Sequence, residues 1–298
     1  KKSIILGVPP TYPPKKINGI LVSDFIAPST KHIYTYPKSI AQEIKNVVGE
    51  YLLDTKFRTE DRKHLLKEIS LMTQKRFKVA NYLLKQKPWD FFMMVEIGTD
   101  RIHHAYWKYF DTTHRLYDPH NHYKDAMLNY YRLIDKQIGQ LLKEIPKETV
   151  ILVVSDHGAK KMDGAFCINE WLIREGYLVL NKYPDKVITL EEADVDWSQT
   201  RAWAWGGYYG RVFLNVKGRD PQGLIEKNQF EKERTTLMKK LKNVTDEKGN
   251  PLKNIIVTPE HLYKKVNGNP SDIFTMFGDL SWRTAGSIGH KTLFIFDN

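Results

Sequence analysis

Phe91-Phe92-Met93-Met94-Val95-Glu96-Ile97, set between Pro88 and Gly98, is the stretch that decides the fold. It is short, almost wholly apolar and bounded by strong chain breakers, which is the pattern of a strand buried on both faces, as in a parallel sheet. A second stretch repeats the texture: Thr149-Val150-Ile151-Leu152-Val153-Val154 runs into Ser155-Asp156-His157-Gly158. Between them, residues 121–145 place Met127, Leu128, Tyr131, Ile134, Ile138, Leu141 and Leu142 on one side of an amphipathic helix. Strand, helix, strand in that order is a βαβ unit, so the sequence predicts an α/β fold with a mostly parallel sheet.

Both apolar runs end in the same chemistry. Asp100, His103 and His104 follow the first, and Asp156 and His157 follow the second. In an open parallel α/β sheet, ligands bind outside the carboxyl ends of the strands. Two Asp/His clusters delivered there by neighbouring strands would share one site. Carboxylate and imidazole together suit Zn²⁺, Mn²⁺ or Fe²⁺. Asp100 and His104 stand at i and i+4, so one helical turn aims both at one ion. Asp156 and His157 are adjacent, and an irregular turn ending at Gly158 is needed for both to reach a metal. Taken singly, a strand-end aspartate is more often the N-cap of the next helix; the coincidence of two clusters at equivalent positions favours metal. The i+4 spacing selects His104 over His103, and His114, His120 and His122 read as loop residues.

At the start of the chain, Ser3-Ile4-Ile5-Leu6-Gly7-Val8 reads as another buried strand, ended by the proline-rich loop Pro9-Pro10-Thr11-Tyr12-Pro13-Pro14. Residues 17–25 form a short extended segment, and residues 39–51 and 59–86 have helical spacing. Beyond Tyr177 the chain breaks into short segments, with turns at Gly206-Gly207, Gly218 and Pro221, a helix over residues 230–241, and a turn at Gly249-Asn250-Pro251. This predicts a metal-binding core over 1–188, a smaller α+β cap over 189–271, and a return to the core over 272–298. Trp203, Trp205, Tyr208 and Tyr209 cluster in the cap, where they either stack on a base or pack its own small core.

With 41% hydrophobic and 27% charged residues, the composition is that of an ordinary globular protein. A lone cysteine, Cys167, rules out an intrachain disulfide and fits a reducing, cytoplasmic compartment. No apolar run approaches the roughly 18–20 residues of a spanning helix, and Lys1-Lys2-Ser3-Ile4-Ile5-Leu6-Gly7 is too short for a signal peptide. The net charge of +11 invites a nucleic-acid partner. The charges are dispersed in mixed runs such as Glu231-Lys232-Glu233-Arg234, which favours a solvated surface; attraction of a small anionic substrate remains.

At Ser155-Asp156-His157-Gly158 and Asp100-x-x-x-His104 the chain resembles the alkaline phosphatase superfamily. Within it, the chain is most similar to the type I phosphodiesterase/nucleotide pyrophosphatase family, in its prokaryotic predicted-phosphodiesterase branch. Gly7-Val8-Pro9-Pro10-Thr11-Tyr12-Pro13-Pro14, Gly218-Arg219-Asp220-Pro221-Gln222-Gly223, and the stretch from Pro270-Ser271-Asp272 to Gly278-Asp279-Leu280-Ser281-Trp282-Arg283 carry the likeness along most of the chain. The resemblance implies an alkaline-phosphatase-like fold and two divalent ions, Zn²⁺ or Mn²⁺. Asp156 and His157 would hold the ion that activates a nucleophile and Asp100 and His104 the other, about 4 Å apart. It implies hydrolysis of a phosphodiester or nucleotide pyrophosphate through a Thr or Ser nucleophile. That nucleophile and a further metal-binding Asp belong upstream of the region matching Gly7–Pro14, and a last His ligand downstream of Gly286–Asn298. The expectation is therefore a chain truncated at both ends, with neither Thr11 as nucleophile nor His290 as the last ligand. Phosphomonoesterases, phosphomutases, sulfatases and headgroup transferases use the same framework, and an inactive metal- or nucleic-acid-binding fragment is the non-catalytic alternative.

Overall fold

β1 (Ser3–Leu6) is the centre of the first sheet in the computed structural model, which describes residues 1–296. It runs parallel to β2 (Gly19–Val22) on one side and to β4 (Phe91–Met94) on the other, while β3 (Thr35–Tyr36) adds antiparallel to β2. The order is β3-β2-β1-β4, with Ser3 opposite Phe91 and Leu6 opposite Met94. The chain divides into two compact units, 1–159 and 160–298, and this sheet belongs to the first.

Four helices complete the first unit: α1 (Ile40–Val48), α2 (Arg62–Gln86), α3 (Gly98–Phe110) and α4 (Ala126–Leu141). α2 starts where the Asp61 side chain accepts a hydrogen bond from the His64 amide at 3.0 Å, the usual way of satisfying a free helix N-terminus. Its apolar stripe is long enough to serve two cores. Phe77, Val79 and Leu83 pack with Ile4, Leu6, Val22 and Ile44, while Leu65 and Ile69 pack with Ile102, Tyr106, Tyr130 and Ile134 of α3 and α4. Among the described residues, no helix is long and apolar enough to cross a membrane.

The second apolar run departs from its expected strand. Residues 149–154 pair with no strand among the described residues, and Val150, Leu152, Val153 and Val154 are all more than 80% exposed. β4 departs too: among the described residues it pairs with β1 alone, and Phe91 and Met93 are exposed instead of being buried on both faces. The cause is common to both. An apolar run states compatibility with burial, but burial itself needs a neighbour on each side, and here the two runs do not pair. α4 is also shorter than its sequence pattern, beginning at Ala126 after a series of turns.

The second unit is built on β8 (Ala202–Trp205), β9 (Gly210–Leu214) and two later strands. Ahead of β8 lie β5 (Gly164–Cys167), α5 (Ile168–Arg174), β6 (Leu180–Lys182) and β7 (Asp194–Val195). After β9 come α6 (Phe230–Lys242), β10 (Ile255–Val257), α7 (Pro259–Leu262), β11 (Ile273–Met276), β12 (Trp282–Ala285) and β13 (Phe294–Phe296). An antiparallel sheet β10-β11-β9-β8 and a three-stranded sheet β12-β5-β13 share one core with α5 and α6, centred on Phe166, Leu172, Val212, Leu237 and Phe277. The Gly206-Gly207 turn joins β8 to β9. Buried Asn169 ties this turn region down, with its amide on the Ala204 and Gly286 carbonyls at 2.9 and 2.6 Å. Helices with mixed sheets make this the α/β architecture expected of an alkaline-phosphatase-like chain.

Candidate metal site

α3 begins directly beyond β4, and a partly buried carboxylate fixes the junction. Glu96 Oε1 accepts the Gly98 amide at 2.8 Å and the Thr73 hydroxyl at 3.2 Å, so it satisfies one donor of the new helix. Arg76, itself buried, stands 3.9 Å from the same oxygen and donates to the Val95 and Leu53 carbonyls at 3.1 Å. Glycine at 98 leaves room for this packing: a Cβ there would lie 1.9 Å from the Tyr130 hydroxyl and 2.8 Å from Glu96 Oε1, so these side chains would have to shift.

Asp100 falls in the first turn of α3, where the helix dipole favours a negative charge. His104, one turn on, brings Nε2 to 3.4 Å from Asp100 Oδ1. Arg101 donates to the other oxygen, Oδ2, at 2.7 Å. The hydrogen bond with His104 holds the Asp100 carboxyl below the usual carboxylate range. Partial burial opposes this, and the charges of His104 and Arg101 reinforce it. The result is an ionised carboxylate beside an imidazole on one helix face, as the i, i+4 spacing predicts.

His103 points elsewhere. Its Nε2 lies 2.9 Å from the Tyr131 hydroxyl, and its ring stacks on Tyr131 and meets the edge of Trp107. Burial pushes its pKa down, against the pull of Asp100. It packs between α3 and α4.

Asp156 and His157 form a looser pair, Oδ2 to Nε2 at 3.5 Å, with side chains 88% and 66% exposed. The His157 ring bonds the Gly158 carbonyl at 2.8 Å, and this bond, then Asp156, raises its pKa. Asp100 adds to that rise, and His157 in turn lowers His103. Among the described residues, no three His, Cys, Asp or Glu side chains are gathered closely enough to hold an ion. The donor types at hand, two carboxylates and two imidazoles, are of the kind that suits Zn²⁺ or Mn²⁺.

The remaining candidates have local structural roles. Thr11 donates both its amide and its hydroxyl to buried Asp24, at 2.7 and 3.2 Å, which occupies the side chain in the proline-rich loop. His290 belongs to the second unit, where its ring meets the Ser287 hydroxyl at 2.7 Å and its amide donates to Glu170 at 2.9 Å. Trp203 stacks on Phe213 and meets Trp197 edge-on, which is core packing, whereas Tyr208 is exposed. Sequence reasoning missed Glu96, Arg101 and Asp54. A signal existed only for Arg101, a charged residue at a position of α3 that the apolar period marks as inward; Glu96 precedes the helix and Asp54 lies in a loop.

No curated protein and no solved structure matches the chain closely enough to count as a relative. The family model described as type I phosphodiesterase / nucleotide pyrophosphatase matches residues 1–295, nearly the whole sequence. It carries with it hydrolytic chemistry on phosphate esters that is generally metal-dependent. The chain belongs to the type I phosphodiesterase/nucleotide pyrophosphatase family.

Proposed function

We propose that this chain is a metal-dependent hydrolase of phosphodiester or nucleotide pyrophosphate bonds. Asp100 and His104 would hold one divalent ion, Zn²⁺ or Mn²⁺, and Asp156 and His157 the other. When bound, such a pair of ions polarises the phosphoryl oxygens and stabilises the attacking and leaving oxygens of an in-line displacement. The hydrogen bond with His104, with Arg101 on the second oxygen, keeps the Asp100 carboxylate ionised, and Glu96 fixes where α3 begins. The excess of basic residues draws an anionic substrate toward the surface. No residue of the chain is assigned as the nucleophile. The division into a core over 1–188, a cap over 189–271 and a return over 272–298 is proposed with it.

The observation that carries this reading is the Asp100–His104 pair: an ionised carboxylate and an imidazole 3.4 Å apart, on a helix that starts at the carboxyl end of a parallel strand. The test is hydrolysis of bis(p-nitrophenyl) phosphate against p-nitrophenyl phosphate, with Zn²⁺ or Mn²⁺ added and with both removed by chelation. Faster, metal-dependent cleavage of the diester supports the reading. Preference for the monoester, or equal rates after chelation, contradicts it.

A further inference from the structure

Arg101 is the most fully engaged charged side chain near the candidate site. It is 7% exposed, and each of its guanidinium nitrogens is used. Nε and Nη2 donate in parallel to the two oxygens of Asp54, both at 2.7 Å, while Nη1 donates to Asp100 Oδ2 at 2.7 Å. Its Cζ sits 4.4 Å from the centre of the Phe57 ring and 5.0 Å from that of Phe25, so the cation is also held through its faces. Phe57 packs in turn against the His104 ring, with centroids 5.3 Å apart. The loop that bears Asp54 and Phe57 therefore touches both proposed metal ligands of α3, one through Arg101 and one directly.

We infer that Asp54 is a positioning residue for the Asp100–His104 half of the metal site, acting through Arg101; the inference rests on the metal reading proposed above. The geometry has two effects. A bidentate pair fixes a guanidinium in plane and in direction, which a lysine could not do. With Asp100 Oδ2 taken by that fixed fork, Oδ1 is the oxygen left for an ion, on the side of His104. The second effect is charge. A lone Arg101 cation one hydrogen bond from a ligand carboxylate would repel a divalent ion and cancel the charge that attracts it. Asp54 neutralises Arg101, so Asp100 keeps its full negative charge for the metal. Partners of metal ligands that orient and charge-balance them are typically worth about 10–100-fold in affinity.

The experiment is Mn²⁺ binding to the full chain, followed by the electron paramagnetic resonance of free Mn²⁺, for the unaltered protein, Asp54→Asn and Asp54→Glu. Melting of each protein is recorded without metal. Asp54→Asn is expected to weaken the tighter Mn²⁺ site about 10–100-fold, and Asp54→Glu, which restores the charge, to recover most of that loss. A purely structural pin for the loop would lower the melting temperature in both variants and leave the affinity of the folded protein unchanged. Asp54→Asn binding Mn²⁺ as tightly as the unaltered protein, or Asp54→Glu binding as weakly as Asp54→Asn, overturns the inference while the metal reading stands. Absence of Mn²⁺ and Zn²⁺ binding in the unaltered protein overturns both.

Discussion

The two apolar runs that end in Asp/His pairs have nearly the same sequence texture and opposite structural fates. Phe91–Met94 pairs with β1 and hands the chain directly to α3, whose first turns bury Arg101, Ile102, Ala105 and Tyr106. Residues 149–154 pair with nothing among the described residues, and the next segment, Ser155 to Lys161, offers only Ala159 as an apolar side chain. A strand held at one end by a ladder and at the other by a buried helix turn has its geometry fixed twice. A run leading into a polar, lysine-ended segment is fixed by neither. The ligand pairs inherit this difference. Asp100 is gripped by His104 and Arg101, whereas Asp156 is open to solvent with His157 as its near partner.

If that contrast is right, substitutions on the two sides should differ by several kcal/mol. The largest effect is expected at Arg76→Leu, which strips Glu96 of its buried cation and leaves the Val95 and Leu53 carbonyls without their donor. Breaking such a buried pair costs about 3–5 kcal/mol, measurable by urea denaturation. Gly98→Ala comes next, at about 1–3 kcal/mol, because the added carbon meets the Tyr130 hydroxyl and Glu96. By contrast, Leu152→Ser in the other run should change stability by no more than about 0.5 kcal/mol, since its side chain is already in solvent. A loss at Leu152 matching that at Gly98 would show that residues 149–154 are packed in solution and would erase the contrast.

Asp156→Ala carries the contrast into the site itself. The exposed carboxylate contributes little to the metal-free fold, so melting without metal should stay put while metal content falls. Unchanged metal content with a lower melting temperature would make Asp156 a structural residue. The smallest effects are expected from pH. The folded-state pKa of Asp100 is depressed, so its contribution is complete above the unfolded value of about 3.9. That contribution is lost as pH falls through the depressed folded value. His157 is raised, so its contribution is present below about 6.5 and is lost as pH rises through the folded value. Asp100→Asn should flatten the acid side of a stability profile taken between about pH 5 and pH 2, and a profile unchanged by the substitution would show that Asp100 is not held ionised by its neighbours.

Much of the first unit was legible because its signals are local. The breakers around Phe91–Ile97, the 3.6-residue period of α2 and the i, i+4 spacing of Asp100 and His104 each depend on nearby residues alone. The turn at Gly206-Gly207 was legible for the same reason and joins β8 to β9. The features that could not be read depended on distant partners. Whether residues 149–154 are buried is decided by the neighbours of β4, and nothing within the run encodes that. Arg101 and Asp54 are 47 residues apart, and neither announces the other. Glu96 looks like an interruption of an apolar run until Thr73 and Gly98 close around it.

The metal site itself stands or falls on elemental analysis of the purified chain and its His104→Ala variant after incubation with Zn²⁺ or Mn²⁺ and removal of free ion. Bound metal is expected in the unaltered protein and a clear loss in His104→Ala, with the variant's fold intact by circular dichroism. Equal metal content in the two proteins, or none in either, would contradict the assignment of Asp100 and His104 as a metal site.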